Sequence, residues 1–253
     1  MKNVEIRASR TNSVAAKVLK RKSLGAGSAD ARSTDANPVE DIRDAVTRLK
    51  RERIIATAVD LFHNNGLGNT TLEAVAEKMN VTKPFIYSHF KSKNALLAEI
   101  CSRGILASLD VMDRIVASEG SATEKVRALA RDFMVAVLEN RGHIAIYTRE
   151  QKHLSREDSD AIDNMRREFD RKFCGLLNEG VATGEFVVDD VQMASLAIGG
   201  IVSWSYVWYR PEGRLTQAET AEQISVLVMA MIQAKPERRS RAGSKPLALI
   251  VRK

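Results

Sequence analysis

From about Val46 onward the apolar positions recur at helical spacing. Ile54, Ile55, Ala58, Leu61 and Phe62 form one stripe along a helix face. Gly66 and Gly68 follow, and glycine readily takes the left-handed conformation past a helix end. Leu72, Val75 and Met79 mark a second buried face, opened by Thr70 or Thr71 as cap, with Glu73 three residues after Thr70 as a capping box. A very short break, Asn80-Val81, comes next, and Asn is the non-glycine residue that best tolerates positive φ. Thr82 caps a third helix over about 83–89, with Pro84 in its first turn where a missing N–H costs little. Ser92 opens a fourth, with Leu96, Leu97 and Ile100 on its inner side. Helical periodicity then continues over about 122–140, 143–153, 156–179, 190–209 and 217–234. Gly120, Ser155, Gly180, Gly184, Pro211 and a Thr216/Glu219 capping box punctuate these segments. No alternating run is long enough for a strand, so the pattern predicts an all-α protein.

The second and third helices are short and joined by a turn of three to four residues, the spacing of a helix-turn-helix whose second helix enters the major groove of DNA. At 100° per residue, Ile86 and Phe90 point inward from the third helix. Pro84, Phe85, Tyr87 and Ser88 are then expected to point outward, with Lys83 and His89 on the flanks. An outward Phe and Tyr on so short a helix suit a surface that meets base edges and sugars. Phe85 can cover a thymine methyl, and Lys83 can reach guanine or a phosphate. Tyr87, Lys91, Lys93 and the amide-rich helix start at Thr71 suit phosphate oxygens. An ordinary helical hairpin with exposed aromatics has the same local pattern.

Charge adds to this. The chain of 253 residues carries a net charge of +7, and it is unevenly placed. Residues 1–32 and 235–253 each contribute +6, leaving a mildly acidic body. Basic tails attract phosphates through counterion release, although tails that only maintain solubility would have the same composition. Residues 1–44 and 235–253 are poor in large apolar side chains and are expected to be disordered. Cys101 and Cys174 form neither a CxxC nor a disulfide framework, which fits a reducing compartment. No membrane span or secretory signal is expected; the Arg/Ser-containing, acid-poor start leaves a transit peptide open. A cytoplasmic location follows.

The run from Thr71 to Leu97 resembles the DNA-binding signature of the TetR/AcrR family of bacterial regulators. Thr71, Ala76, Val81, Tyr87, Phe90, Ser92, Lys93, Leu96 and Leu97 match it, and Val75 and Ile86 are conservative stand-ins. Asn80 replaces the usual turn glycine, and Phe85 takes a position more often small or polar. The resemblance implies that Tyr87 and Lys93 contact the DNA backbone while Lys83, Pro84 and Phe85 lie against base edges, with Thr82, Ser88, His89 and Lys91 alongside. It also implies a helix-turn-helix domain over 45–93, followed by a ligand-binding and dimerisation domain over 94–234.

In that second part, residues 190–209 are apolar nearly all round, which predicts burial on more than one side. Ala197, Gly199, Gly200 and the serines allow close helix approach. Ile224, Leu227, Val228 and Met231 line one face of the last helix, and the resemblance implies that the last two helices form a homodimer interface. It also implies a small-molecule pocket among the middle helices. Candidate lining residues are Phe133, Val137, Tyr147, Met165, Phe169, Phe173, Trp204 and Trp208, with Arg149, Glu150 and His153 to orient a polar end. A Met and aromatic stripe of this kind equally describes plain core.

Glu150-x2-His153-Leu and Trp208-Tyr-Arg-Pro-x-Gly-Arg214 look like the branch of the family that senses acyl-CoA thioesters, with Arg166, Arg167 and Arg210 available to phosphates. The function expected is a ligand-responsive repressor that releases its double-stranded DNA operator on binding an effector, without enzymatic activity, cofactor or metal. Two alternatives fit the pattern less completely. A di-iron carboxylate enzyme would use Glu150 and His153, but needs a second Glu-x2-His that the sequence lacks; Glu139 and His143 do not complete it. A protein-binding helical adaptor would leave the Phe85/Tyr87 helix and the basic tails without a role.

Overall fold

The structure is a computed structural model that describes residues 38–233, in which ten α-helices and one short 3-10 turn carry the fold. Both tails, and most of the segment expected to be disordered, lie outside the described residues. The first helix, α1 (Pro38–Asn65), begins well before Val46, so residues 38–44 are helical rather than disordered. Pro38 suits a first helical position, where its missing N–H has no partner to lose. Ile42, Val46 and Leu49 extend the apolar spacing upstream, although all three are exposed.

α1, α2 (Leu72–Lys78) and α3 (Lys83–His89) form a three-helix unit. Its core is Ile54, Ile55, Ala58, Phe62, Val75, Ile86 and Phe90, all at most 2% exposed. Gly66 ends α1 with φ of 79°, and Asn80 takes φ of 54° in the turn between α2 and α3. The cap of α2 is Thr71, whose Oγ1 accepts from Ala74 N at 3.1 Å. Thr70 is instead buried, with its hydroxyl donating to the Gly66 carbonyl at 2.9 Å, and Glu73 makes no capping box with it. Thr82 precedes α3 without a side-chain capping bond.

α4 (Lys93–Ala117) starts at its Ser92 cap, directly after α3, and runs into the second half of the molecule. There it packs on α5 (Ala122–Glu139), α6 (Arg141–Glu150) and α7 (Arg156–Ala182). α8 (Val191–Ser203), the single turn α9 (Ser205–Trp208) and α10 (Gln217–Gln233) complete the bundle, α10 lying along α5. Both reciprocal bonds of the Thr216/Glu219 box are made, and Ser121 with Glu124 makes another at α5. At Gly180 a Cβ would fall 2.1 Å from the Phe186 ring, so the chain leaving α7 can fold back only over a glycine.

Residues 190–209 do not form one helix. Ser203 donates its hydroxyl to the Gly199 carbonyl at 2.6 Å, a back-bond that bends helices, and the Gly199-Gly200 pair weakens the segment further. The helix is interrupted at Trp204 and resumes for one turn from Ser205. Nor is the segment buried on several sides within one protomer. Only Ser195, Ile198 and Val202 of α8 are buried, while Met193, Leu196, Ile201, Trp204 and Trp208 are exposed.

Candidate functional site

The short α3 presents one outer face. Lys83, Pro84, Tyr87 and Ser88 are exposed there, flanked by Thr71 and Thr82 and followed by Lys91. Ile86, on the opposite side, is fully buried and fixes the helix on the core. Tyr87 reaches across to α2, its hydroxyl donating to Glu73 Oε1 at 3.1 Å. The backbone amide of Glu73 and then this bond hold the Glu73 carboxyl below its ordinary range, and the bond to Glu73 raises the Tyr87 phenol. Ser88 returns its hydroxyl to the Phe85 carbonyl at 2.7 Å.

Phe85 departs from the sequence expectation. It is half-buried, packed edge-on against His89 at 5.1 Å between ring centroids, with Lys50 of α1 over its face at 5.8 Å. A phenyl ring this size gains more from covering its own core edge than from full exposure. His89 is itself half-buried, and burial with the nearby Arg51 and Lys50 charges pushes its imidazole below the ordinary range.

Two basic groups tie this unit together. Lys93 donates to the Leu67 carbonyl at 2.9 Å, so its ammonium bridges the α1–α2 connection and the start of α4. Arg51 donates to the His89 carbonyl at 2.6 Å, stacks 4.1 Å from the Phe90 ring and pairs with Glu99 of α4. Arg103, one turn further along α4, binds Glu52 of α1 through both terminal nitrogens at 2.7 and 2.9 Å. The end of the outer helix is thus wired to α4 through charge-assisted bonds, which are stronger than neutral ones.

α4 also forms one wall of a cavity of about 330 Å³, bounded by α4, α5, α6, α7 and α8 and open to solvent beside the exposed Arg166, Leu196, Gly200 and Ser203. Phe133, Val137 and Phe169 line it as expected. Tyr147, Met165 and Phe173 are buried beside it as core and do not line it. Trp204 and Trp208 are outside it and exposed. Arg149 and Glu150 have another task. Arg149 donates to the Phe62 carbonyl of α1 at 2.6 Å and to Glu150 at 2.9 Å, joining the two halves of the molecule, while His153 is half-exposed. Sequence reasoning missed Gly104, Ile105 and Ser108 of α4 and Ser195, Gly199 and Gly200 of α8 as lining residues. Their signal in the sequence is small residues at i, i+4 spacing, Gly104 with Ser108 and Ser195 with Gly199, which carry no aromatic or apolar mark. Arg166 and Asp170 also face the cavity; burial raises the Asp170 carboxyl, and Arg166 partly offsets this.

The site offers little to covalent chemistry. Burial pushes the Cys101 thiol up to about 12, which keeps it protonated. Among the described residues, no three His, Cys, Asp or Glu side chains converge as metal ligands would.

A three-helix unit with an outward short helix, coupled by one long helix to a bundle with a cavity, defines a two-domain helix-turn-helix regulator. Residues 54–100 match the family model for bacterial regulatory proteins of the tetR family, and residues 119–232 match a tetracyclin repressor-like C-terminal domain. Over 71% of its length the chain is 31% identical to the HTH-type transcriptional repressor KstR2 of Rhodococcus jostii, 89% of which is covered. The protein belongs to the TetR family. The solved structure of the ketosteroid transcriptional regulator KstR2 of Mycobacterium tuberculosis shares the fold, with a TM-score of 0.66 and 24% identity over 73% of this chain and 95% of that one. AibR, solved in complex with isovaleryl coenzyme A and operator DNA, superposes with a TM-score of 0.60 at 25% identity, over 72% of this chain and 97% of that one. No described helix is long and apolar enough to cross a membrane.

Proposed function

We propose that this protein is a homodimeric, effector-responsive transcriptional repressor that acts in the cytoplasm and catalyses no reaction. The observation that carries the reading is α4. Its first turn abuts the outer helix, its Glu99 and Arg103 hold α1, and Gly104, Ile105 and Ser108 one turn later face the cavity. A ligand that displaces this wall displaces the groups that orient α3.

Lys83, Pro84, Tyr87 and Ser88 meet the major groove, with Thr71, Thr82 and Lys91 on adjacent phosphates. Phe85 and His89 shape the edge of that surface, and Lys93 joins the phosphate contacts while holding Leu67. Two copies of α3 must stand about 34–36 Å apart to read successive major grooves. The exposed apolar residues of α8 and α10, among them Leu196, Ile201, Val226, Leu227 and Met231, supply a face for that pairing.

The effector is an acyl-CoA thioester whose acyl group occupies the cavity. Its walls are mainly apolar, and the likeness to AibR supports this ligand class. A ligand releases DNA only if it binds the released conformation better than the DNA-bound one. Fluorescence anisotropy on the DNA upstream of the protein's own reading frame tests the function. Specific binding, reversed by an acyl-CoA and not by the free acid, is the expected outcome; thioesters without effect on either DNA binding or thermal stability would remove this effector class.

A further inference from the structure

The start of α1 is a basic element beside the outer helix α3. Residues 42–53 carry five Lys or Arg side chains and two acids, in a body whose overall balance is mildly acidic. The first buried residue described on α1 is Ile54, and every residue from Ile42 to Lys50 is exposed. At about 1.5 Å per residue, this stretch carries the helix roughly 13 Å past the core it serves.

The sides of that projection are not equivalent, and contacts at its base fix their directions. Glu52 faces the second half of the molecule, where both terminal nitrogens of Arg103 on α4 bind it. Lys50 lies roughly 160° around the helix from Glu52, and its ammonium is 5.8 Å from the centre of the Phe85 ring on α3. Arg43, two turns before Lys50, falls within about 20° of the same side. Asp44 is about 120° away from Lys50, and Arg48 is within about 40° of Glu52, on the side turned to the bundle. The ion pairs described on α1 are those of Arg51 and Glu52, and Arg43 and Lys50 take no part in them. Cations clear of carboxylates, on the side that adjoins the outer face of α3, match a polyanion that extends past that helix. Duplex DNA entered by α3 is such a polyanion, with one negative charge per about 3.4 Å of each strand.

We propose that Arg43 and Lys50 form a second DNA contact of this protein, binding the sugar-phosphate backbone beside the major groove that α3 enters. The inference rests on the DNA-binding reading above and deepens it. Lys50 takes a phosphate next to the Phe85 edge of α3. Arg43, about 10 Å further out along α1, takes one farther along the backbone. Both add affinity without reading sequence, because phosphates carry no base identity.

Fluorescence anisotropy across a salt series tests this with two duplexes of equal length, the upstream DNA and an unrelated sequence. The double variant Arg43→Gln, Lys50→Gln keeps good helix formers and touches no core residue, so its melting temperature should stay near that of the wild type. On both duplexes the slope of log affinity against log salt should fall by about one counterion per substituted side chain in each protomer. Affinity at about 0.1 M salt should fall by well over ten-fold, with the two curves converging toward about 1 M. Arg48→Gln removes the same charge from the opposite side of the projection and should leave the slope as it is. An unchanged slope in the double variant, or an equal loss per side chain in Arg48→Gln, would overturn the proposal. So would a loss confined to the upstream DNA, or a wild type that binds neither duplex at low salt. A wild type that binds both duplexes alike would strike the repressor reading, and the slopes would still decide this one.

Discussion

Lys83 and Tyr87 are exposed on α3 and are not part of its core, so their removal should affect DNA before it affects folding. Lys83→Ala should weaken operator binding and reduce the slope of log affinity against log salt by about one counterion. An unchanged slope in a salt titration would take Lys83 off the phosphates and leave it a base contact alone. Tyr87→Phe should lower affinity by roughly three- to ten-fold, the range of one hydrogen bond, with a loss of stability no larger than that of its exposed bond to Glu73. His143 makes a separate prediction about stability. Burial and the nearby Arg103 guanidinium, only partly offset by Glu52, push its imidazole down to about 4 from an ordinary 6.5. Between those two values the unfolded chain holds a proton that the folded protein refuses, so stability falls as pH falls. Urea unfolding at pH 5 should give about 2 kcal/mol less stability than at pH 7 from this group, and His143→Gln should remove most of that difference. An equal pH dependence in the variant would exclude His143 as its source.

At the scale of elements, α3 and α10 were legible in the chain because their boundaries are set locally. Pro84 and Asn80 fix the first, and the Thr216/Glu219 box fixes the start of the second. The start of α1 was not, because the composition of residues 38–44 looked disordered, and Ile42, which extends the helical spacing of Val46 and Leu49 upstream, is exposed. The interruption at Trp204 is a single residue, too local for periodicity to reveal. Phe85 was misplaced because Lys50 of α1 covers it from another helix, while His89, one turn on along the same face, packs against its edge. Of the cavity, the large residues of α5 and α7 were readable, whereas glycines and serines that line it leave no apolar signal. The wiring between α1, α3 and α4 was wholly invisible in sequence, since Arg51, Glu99 and Arg103 look like ordinary surface charges. It carries a prediction of its own. Arg51→Met removes charge-assisted bonds to His89 and Glu99 and should cost about 1–3 kcal/mol of stability. It should also weaken operator binding beyond that of a surface lysine variant, and reduce the effect of an effector on DNA affinity. A variant that binds and releases DNA as the wild type does would show that the coupling runs elsewhere.

For the molecule as a whole, the exposed apolar residues of α8 and α10 make the protomer look incomplete. Leu196 and Leu227 are 52% and 56% exposed, although they lie in helices whose other faces are buried. Substitution of both by Glu would place like charges at the centre of a self-complementary interface. Light scattering should then report the monomer mass in place of twice that mass, with operator affinity falling by orders of magnitude as the two recognition helices lose their fixed spacing. A variant that remains dimeric would move the interface away from these helices. The repressor account joins one DNA surface to one cavity through one helix, and a single titration addresses all three. Anisotropy of labelled upstream DNA should rise with protein at nanomolar to micromolar concentrations, resist unrelated DNA of equal length, and fall back when isovaleryl coenzyme A or another acyl-CoA of similar size is added. Binding that does not distinguish the upstream DNA from unrelated DNA would contradict the account.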